Sequence, residues 1–125
     1  MLTHAMVGTN DLPKAKAFYD AALGALGSSC AKATDSRVLY AGEGPAFVVA
    51  TPANGEPAQH ANGGTIGFAA RDKEAVDAWH AAGLAHGGTD EGAPGPRPNV
   101  PGNAYGAYLR DPDGNKICAF CQLPA

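Results

Sequence analysis

The chain has 125 residues, of which 45% are hydrophobic and 17% are charged, and its formal net charge is −3. This length suits a single domain with a buried core of its own. The nine Lys and Arg residues are scattered along the chain, and no segment is apolar over a membrane-spanning length, which argues against nucleic-acid-binding and membrane proteins.

The first half of the chain predicts one helix and four strands. The helix begins after Asp11, an N-cap residue whose carboxylate accepts free backbone N–H groups, and Pro13 fits its first turn. Apolar residues recur at helical spacing as far as Leu23, and Gly24 and Gly27 then provide stop signals. Short apolar runs bounded by turn-forming residues predict strands at 2–9, 28–33, 36–41 and 46–50.

The second half repeats this order. A shift of 61 positions aligns Asp11 with Asp72 and Phe18 with Trp79, so a second capped helix is expected. Strands are predicted at 65–70, 89–91, 104–110 and 115–122. The last two are joined by the tight-turn sequence DPDG. The Pro- and Gly-rich stretch EGAPGPRPNVPGN predicts a long loop without regular structure, a candidate lid or rim of a site.

This order of elements, with NDLPKAKAFYDAALGALG early and YGAYLRDPDGNKI late, resembles the vicinal-oxygen-chelate superfamily of glyoxalases, bleomycin- and fosfomycin-resistance proteins and extradiol dioxygenases. The resemblance covers nearly the whole chain. It implies an α+β fold with two βαβββ modules, about 1–52 and 63–125, joined by a linker at about 53–62. The two modules would form a cupped, partly closed mixed sheet around a central cavity. The resemblance also implies a small organic ligand and a homodimer.

Metal-dependent members of that superfamily hold a divalent ion with one side chain from each of four strands, usually His or Glu. In this chain the resemblance places the first-strand His at His4 and the equivalent position of the second module at Thr65. The position of the last-strand Glu falls on Cys118, and its counterpart in the first module falls near Ala46 or Val48. Hydroxyl, thiol and methyl groups are poor ligands for hard divalent metals. We therefore expect no cofactor and no complete metal site, and if a metal is present, His4 and Cys118 would hold it.

Cys118 and Cys121 have the C-x-x-C spacing of a redox pair or of half a metal site. Side chains alternate across a strand, so two residues three apart face opposite sides, and we expect the spacing to be coincidental. Cys121 then packs as a small buried hydrophobe. Cys118 and His4 are candidate catalytic residues as a thiol–imidazole pair, and an inert buried thiol is the alternative.

Alternation along the strands also predicts the lining of the cavity, which is apolar and aromatic with few polar groups. The candidate ligand-binding residues on strands are Met6, Ala46, Val48, Thr65, Gly67, Tyr105, Ala107 and Phe120. Their neighbours, among them Phe47, Phe68 and Tyr108, would face the helices. In the long loop, Arg97 and Asn103 would meet an anionic or carbonyl-bearing substrate. The other histidines, His60, His80 and His86, are expected at the surface.

Three functions remain open from the sequence. The chain is a glyoxalase-like enzyme with a degenerate metal site, a non-catalytic protein that sequesters a drug or other small molecule, or a metal-dependent lyase, isomerase or dioxygenase. The chain contains three cysteines, and this odd number favours reduced thiols and a cytoplasmic location. The first residues show no basic stretch followed by an apolar run, so we expect no signal peptide.

Overall fold

The computed structural model describes residues 1–125, and its elements alternate in the predicted order. They are β1 (His4–Gly8), α1 (Leu12–Gly24), β2 (Ser29–Ala33), β3 (Arg37–Ala41), β4 (Ala46–Ala50), β5 (Ile66–Ala69), α2 (Lys73–Ala85), β6 (Thr89–Pro96), β7 (Ala104–Arg110) and β8 (Lys116–Gln122). The strands form two four-stranded sheets, in the orders β1-β4-β3-β2 and β5-β8-β7-β6. In each sheet the outer strand, β1 or β5, pairs in parallel and the other pairs are antiparallel. The predicted α+β fold of two βαβββ modules is confirmed.

The repeat extends to the boundaries of the helices. Each helix has 13 residues, and the first residues, Leu12 and Lys73, differ by 61 positions, since 73 minus 12 is 61. Asp11 accepts a hydrogen bond from the backbone N of Lys14 at 3.1 Å, and Asp72 accepts one from the backbone N of Ala75 at 2.8 Å. Both predicted N-caps are confirmed, so local chemistry decides where each helix begins.

The two modules share one hydrophobic core. Helices α1 and α2 pack against each other, and each also packs against its own sheet. Gly83 lies where α2 comes closest to β7 and α1. A Cβ at this position would overlap the side chain of Leu109 and lie 3.3 Å from a ring carbon of Phe18. A residue without a side chain therefore permits the approach on which the shared core depends.

The DPDG turn links the second module to the first through buried hydrogen bonds. Tyr19 on α1 donates its hydroxyl proton to Asp111 Oδ2 at 2.6 Å. The side-chain amide of Asn115 donates to the same oxygen at 2.9 Å and to the carbonyl of Gly8 in β1 at 3.0 Å. Burial, and then the Asp111 carboxylate, raise the pKa of Tyr19 well above its ordinary value. The turn was predicted, and the structure adds that it joins the two modules.

The stretch predicted as an irregular loop contains most of a strand. The expected strand at 89–91 continues to Pro96, so this prediction was wrong in extent. β6 is the outer strand of its sheet, where a missing proline N–H leaves no ladder bond unmade. Its pairing with β7 shifts register between Asp90 and Gly92 and again between Gly92 and Gly95, which accommodates the irregular sequence.

A histidine that was expected at the surface is instead buried where α2 meets β6. His80 on α2 is only 8% exposed, and its Nε2 lies 2.9 Å from Asp90 Oδ1 on β6. This contact lowers the pKa of Asp90. His60 and His86 are exposed, as expected. The expectation for His80 was wrong because the position of a residue on a helix does not show which strand packs beside it.

The two sheets are not closed into a barrel within one chain. Neither sheet shares a ladder with the other, and the modules pack together chiefly through their helices. The face of each sheet that is turned away from the helices is called its open face below. Neither helix is long and apolar enough to cross a membrane.

Candidate functional site

The open face of the second sheet carries the chemically distinctive side chains of the chain. Cys118 on β8 lies opposite Gly67 on one side and Tyr108 on the other, and Phe120 lies opposite Gly106. The alternate residues of β8 point the other way, and three of them belong to the core: Ile117, Ala119 and Cys121. Both C-x-x-C cysteines are free thiols, and their side chains point to opposite faces of the sheet, as alternation along the strand predicts.

The expected side-chain directions on β7 were wrong. Tyr105 and Ala107 face α2: Ala107 is fully buried in the core, and the Tyr105 hydroxyl donates to Asp77 Oδ1 of the helix at 2.6 Å. Tyr108, which was expected in the core, lies on the open face. Alternation divides a strand into two sets, but it does not say which set faces the helix. The pairing of Tyr108 with Cys118 decides that.

Tyr108 and Phe120 form an aromatic pair close to two glycines of the same sheet, Gly106 and Gly67. Their ring centroids are 5.7 Å apart and their planes are nearly perpendicular, at 82°. The Phe120 ring lies directly over Gly106, where an added Cβ would be 2.6 Å from a ring carbon. At Gly67 an added Cβ would lie 3.2 Å from Cys118 Sγ. The missing side chains make room for the Phe120 ring and the Cys118 thiol, and the predicted direction of Phe120 is confirmed.

Two cations flank the ring of Tyr108. The guanidinium carbon of Arg97 lies 5.8 Å from the ring centroid, and Lys116 Nζ lies 5.2 Å from it, both within the range of a cation–π interaction. Arg97 also donates to three backbone carbonyls. These are Ala93 at 2.7 Å, Gly95 at 3.1 Å and Pro96 at 3.3 Å. Neither cation forms an ion pair with a carboxylate of the chain.

The Cys118 thiol is held in its neutral form. It is 7% exposed, and burial raises its pKa to about 11 despite the opposing effect of Lys116. His4 lies on the other sheet, is exposed, and has its Nδ1 2.9 Å from Thr3 Oγ1. Since no hydrogen bond joins His4 to Cys118, one chain by itself does not bring the two candidate catalytic residues together.

The first-sheet candidates form a separate group. His4 lies opposite Ala46, and Met6 lies opposite Val48, so all four share the open face of that sheet. Met6 is 49% exposed, whereas Val48 is buried.

Two further candidates lie apart from both groups. Thr65 comes directly before β5. The Asn103 side chain donates to the carbonyls of Leu123 and Pro124, which engages it with the C-terminal segment.

The residues at the four metal positions do not fit a divalent metal. They offer an imidazole at His4, a thiol at Cys118, a hydroxyl at Thr65 and only methyl groups at Ala46 or Val48. No three His, Cys, Asp or Glu side chains of the chain lie close enough together to hold an ion. The missing carboxylates are the oxygen ligands that hard metals require, whichever chains supply the positions.

A cavity of about 420 Å³ lies between the two modules. Aromatic side chains of both modules, Tyr40, Phe47 and Phe68, form part of its wall, and Glu43 and Thr65 contribute polar groups. Ala46 and Gly67 also reach it. Both modules therefore contribute to the lining of this cavity.

Comparison with known proteins identifies the family. A glyoxalase/bleomycin resistance protein from Albidiferax ferrireducens T118 is 55% identical, with a TM-score of 0.92 over 96% of this chain and 98% of its own. A lactoylglutathione lyase from Agrobacterium tumefaciens is 25% identical, with a TM-score of 0.67 over 96% and 92% of the two chains. A glyoxalase-related enzyme from Fulvimarina pelagi, 16% identical with a TM-score of 0.76 over 96% and 86%, shares the fold.

A search of curated proteins finds no match. The family model of the Glyoxalase/Bleomycin resistance protein/Dioxygenase superfamily matches residues 1–119. This match covers nearly the whole length, and it agrees with the two βαβββ modules of the structure. The chain belongs to the Glyoxalase/Bleomycin resistance protein/Dioxygenase superfamily.

Proposed function

We propose that the chain binds a small organic molecule on the open face of the second sheet without a metal ion. One observation carries the proposal: Tyr108 and Phe120 form an aromatic pair in space left free by Gly67 and Gly106, beside the neutral thiol of Cys118. Aromatic walls with a few polar groups are the usual composition of a small-molecule site. At the positions where relatives would hold a metal, this chain lacks the necessary carboxylates.

The proposal includes a homodimer in which two open faces enclose the ligand. β1 and β5 are outer strands with one unpaired side each, and unpaired edges favour pairing with another chain. The half-exposed Met6 leaves apolar surface uncovered on the first open face. A second copy would set His4 and Met6 of one chain opposite the aromatic pair of the other. Such a pairing would enclose a pocket between the two open faces.

Binding is better supported than covalent catalysis by Cys118. A neutral, buried thiol is a poor nucleophile, and no imidazole of the same chain contacts it. Two functions are compatible with this geometry: sequestration of the ligand, and an enzymatic step that uses neither a thiolate nor a metal. The three cysteines are free, which supports a reducing, cytoplasmic location.

A binding screen with and without a chelator tests the proposal. The uniformly ¹⁵N-labelled chain would be mixed with small aromatic compounds of different charge, in EDTA and in added zinc or nickel. We expect binding that shifts amide signals of β7 and β8, survives EDTA and is lost in Phe120→Ala. Leu84→Ala, which truncates an exposed side chain on α2, is the matched control and should bind normally. Binding that requires the added metal would favour the metal-dependent alternative instead.

A further inference from the structure

We infer that the ligand is a planar organic anion, such as an aromatic or conjugated carboxylate, whose charge is neutralised by Arg97 and Lys116 beside the Tyr108–Phe120 pair. This inference rests on the proposed function because it concerns the same site. It assigns a charge and a shape to the ligand, and both come from Arg97, which directly follows β6, and from side chains on β7 and β8.

The distribution of cations supports a negative charge on the ligand. Of the nine Lys and Arg residues, three form ion pairs with carboxylates: Lys16, Arg71 and Arg110. Four of the remaining six are exposed to water: Lys14, Lys32, Arg37 and Lys73. Only Arg97 and Lys116 are both unpaired and partly buried, and they converge on one ring. Partial burial of a charge without a counter-ion is unfavourable, and an anionic ligand would offset that cost.

Arg97 is held in place before any ligand arrives. Its two terminal nitrogens donate to the carbonyls of Ala93, Gly95 and Pro96, while Nε has no partner in the chain. An added Cβ would lie 3.2 Å from a guanidinium nitrogen at Gly92 and 3.5 Å at Gly95, so these glycines make room for the group. Neutral carbonyls fix the guanidinium without cancelling its charge. A preorganised donor loses less entropy when it binds a carboxylate.

The aromatic surroundings of the two cations support a flat ligand. Phe120 lies on Gly106 and meets the Tyr108 ring edge to face, which leaves an aromatic surface for stacking. The thiol of Cys118 beside them is neutral and repels no anion. A planar ring with an acidic substituent therefore matches both the aromatic surface and the two cations.

A matched set of probes separates the charge from the shape. The ligands are 2-naphthoate, its neutral isostere 2-naphthamide and the cation 2-naphthylmethylammonium, titrated into the ¹⁵N-labelled chain. We expect 2-naphthoate to bind about tenfold more tightly than the amide, and added salt to weaken its binding. Arg97→Gln and Lys116→Gln should each lower its affinity by about tenfold. Lys73→Gln, which removes an exposed and unpaired cation, should not.

The outcomes distinguish failure of this inference from failure of the proposed function. Equal binding of the acid and the amide, unaffected by either glutamine variant, would refute the anionic ligand and leave the binding proposal intact. Preference for the ammonium compound would refute it as well. If none of the probes shifts signals of β7 or β8, both proposals fail. Should Arg97→Gln unfold because its carbonyl contacts are lost, Lys116→Gln and the salt dependence of the unmodified chain decide.

Discussion

Cys118 should react with iodoacetamide much more slowly than an ordinary cysteine. Burial raises its pKa from 9.0 to about 11, and each unit lowers the thiolate fraction tenfold at neutral pH. The reactive fraction is therefore about a hundredfold below that of an unperturbed thiol. The side chain is also only 7% exposed, which slows the approach of the reagent further.

Alkylation followed by peptide mass spectrometry measures this directly. The chain would be labelled at about pH 6.5 and about pH 8.5, with the partly exposed Cys30 as internal reference. We expect Cys30 to be labelled first and Cys118 to lag by about two orders of magnitude. His4→Ala should leave the rate at Cys118 unchanged, because no hydrogen bond joins the two side chains.

The opposite result would refute this reasoning. If Cys118 is labelled at about pH 6.5 as fast as Cys30, and His4→Ala slows it, a thiolate–imidazolium pair exists. Since one chain does not bring the two side chains together, that result would place the pair between two chains of a dimer. Cys118 would then be a nucleophile, and covalent catalysis would replace binding as the favoured function.

Three further predictions concern packing and ionisation. Gly106→Ala should displace the Phe120 ring, since the added Cβ lies 2.6 Å from it. We expect a loss of about 1–3 kcal/mol in the free energy of unfolding in urea, together with weaker aromatic binding. Tyr19→Phe removes a 2.6 Å hydrogen bond to the buried carboxylate of the DPDG turn and should cost about 1.5–3 kcal/mol in the same assay. A hydrogen bond to a carboxylate on α2 raises the pKa of Tyr105 from 10.0 to about 12. The folded state thus favours the neutral phenol, so its stabilisation is complete below pH 10 and is lost as pH rises through 12. In Tyr105→Phe, the free energy of unfolding measured in urea should therefore fall less steeply as the pH rises from 10 to 12.

Each of these predictions has a result that would contradict it. Gly24→Ala is the control for added bulk, because no atom lies within 4 Å of the new Cβ, and it should not destabilise the chain. Normal stability and ligand binding in Gly106→Ala would show that the position of the Phe120 ring does not depend on the space left by Gly106. An unchanged free energy of unfolding in Tyr19→Phe would mean that the Tyr19 hydroxyl makes no net contribution to stability. If the free energy of unfolding of Tyr105→Phe falls with rising alkaline pH as steeply as that of the unmodified chain, other groups cause the fall.

The sequence by itself determined the elements whose signals are local. Asp11 and Asp72 cap their helices because a carboxylate three residues before a free N–H needs no distant partner. The alternation that separates Cys118 from Cys121 is likewise a property of one strand. The repeat predicted the paired modules and, through the family resemblance, the fold. The family resemblance implied the four metal positions, and the residues found there include no carboxylate.

Only the tertiary structure decided which residues of β7 lie on the open face and how far β6 extends. Alternation is symmetric, so Tyr108 and Tyr105 exchange roles unless the register with β8 is known. The prolines of β6 predicted a loop, but at the edge of a sheet their missing N–H groups leave no bond unmade. The burial of His80 and the place of Arg97 beside Tyr108 follow from that same strand. These features depend on contacts between residues distant in the chain, which local preferences do not specify.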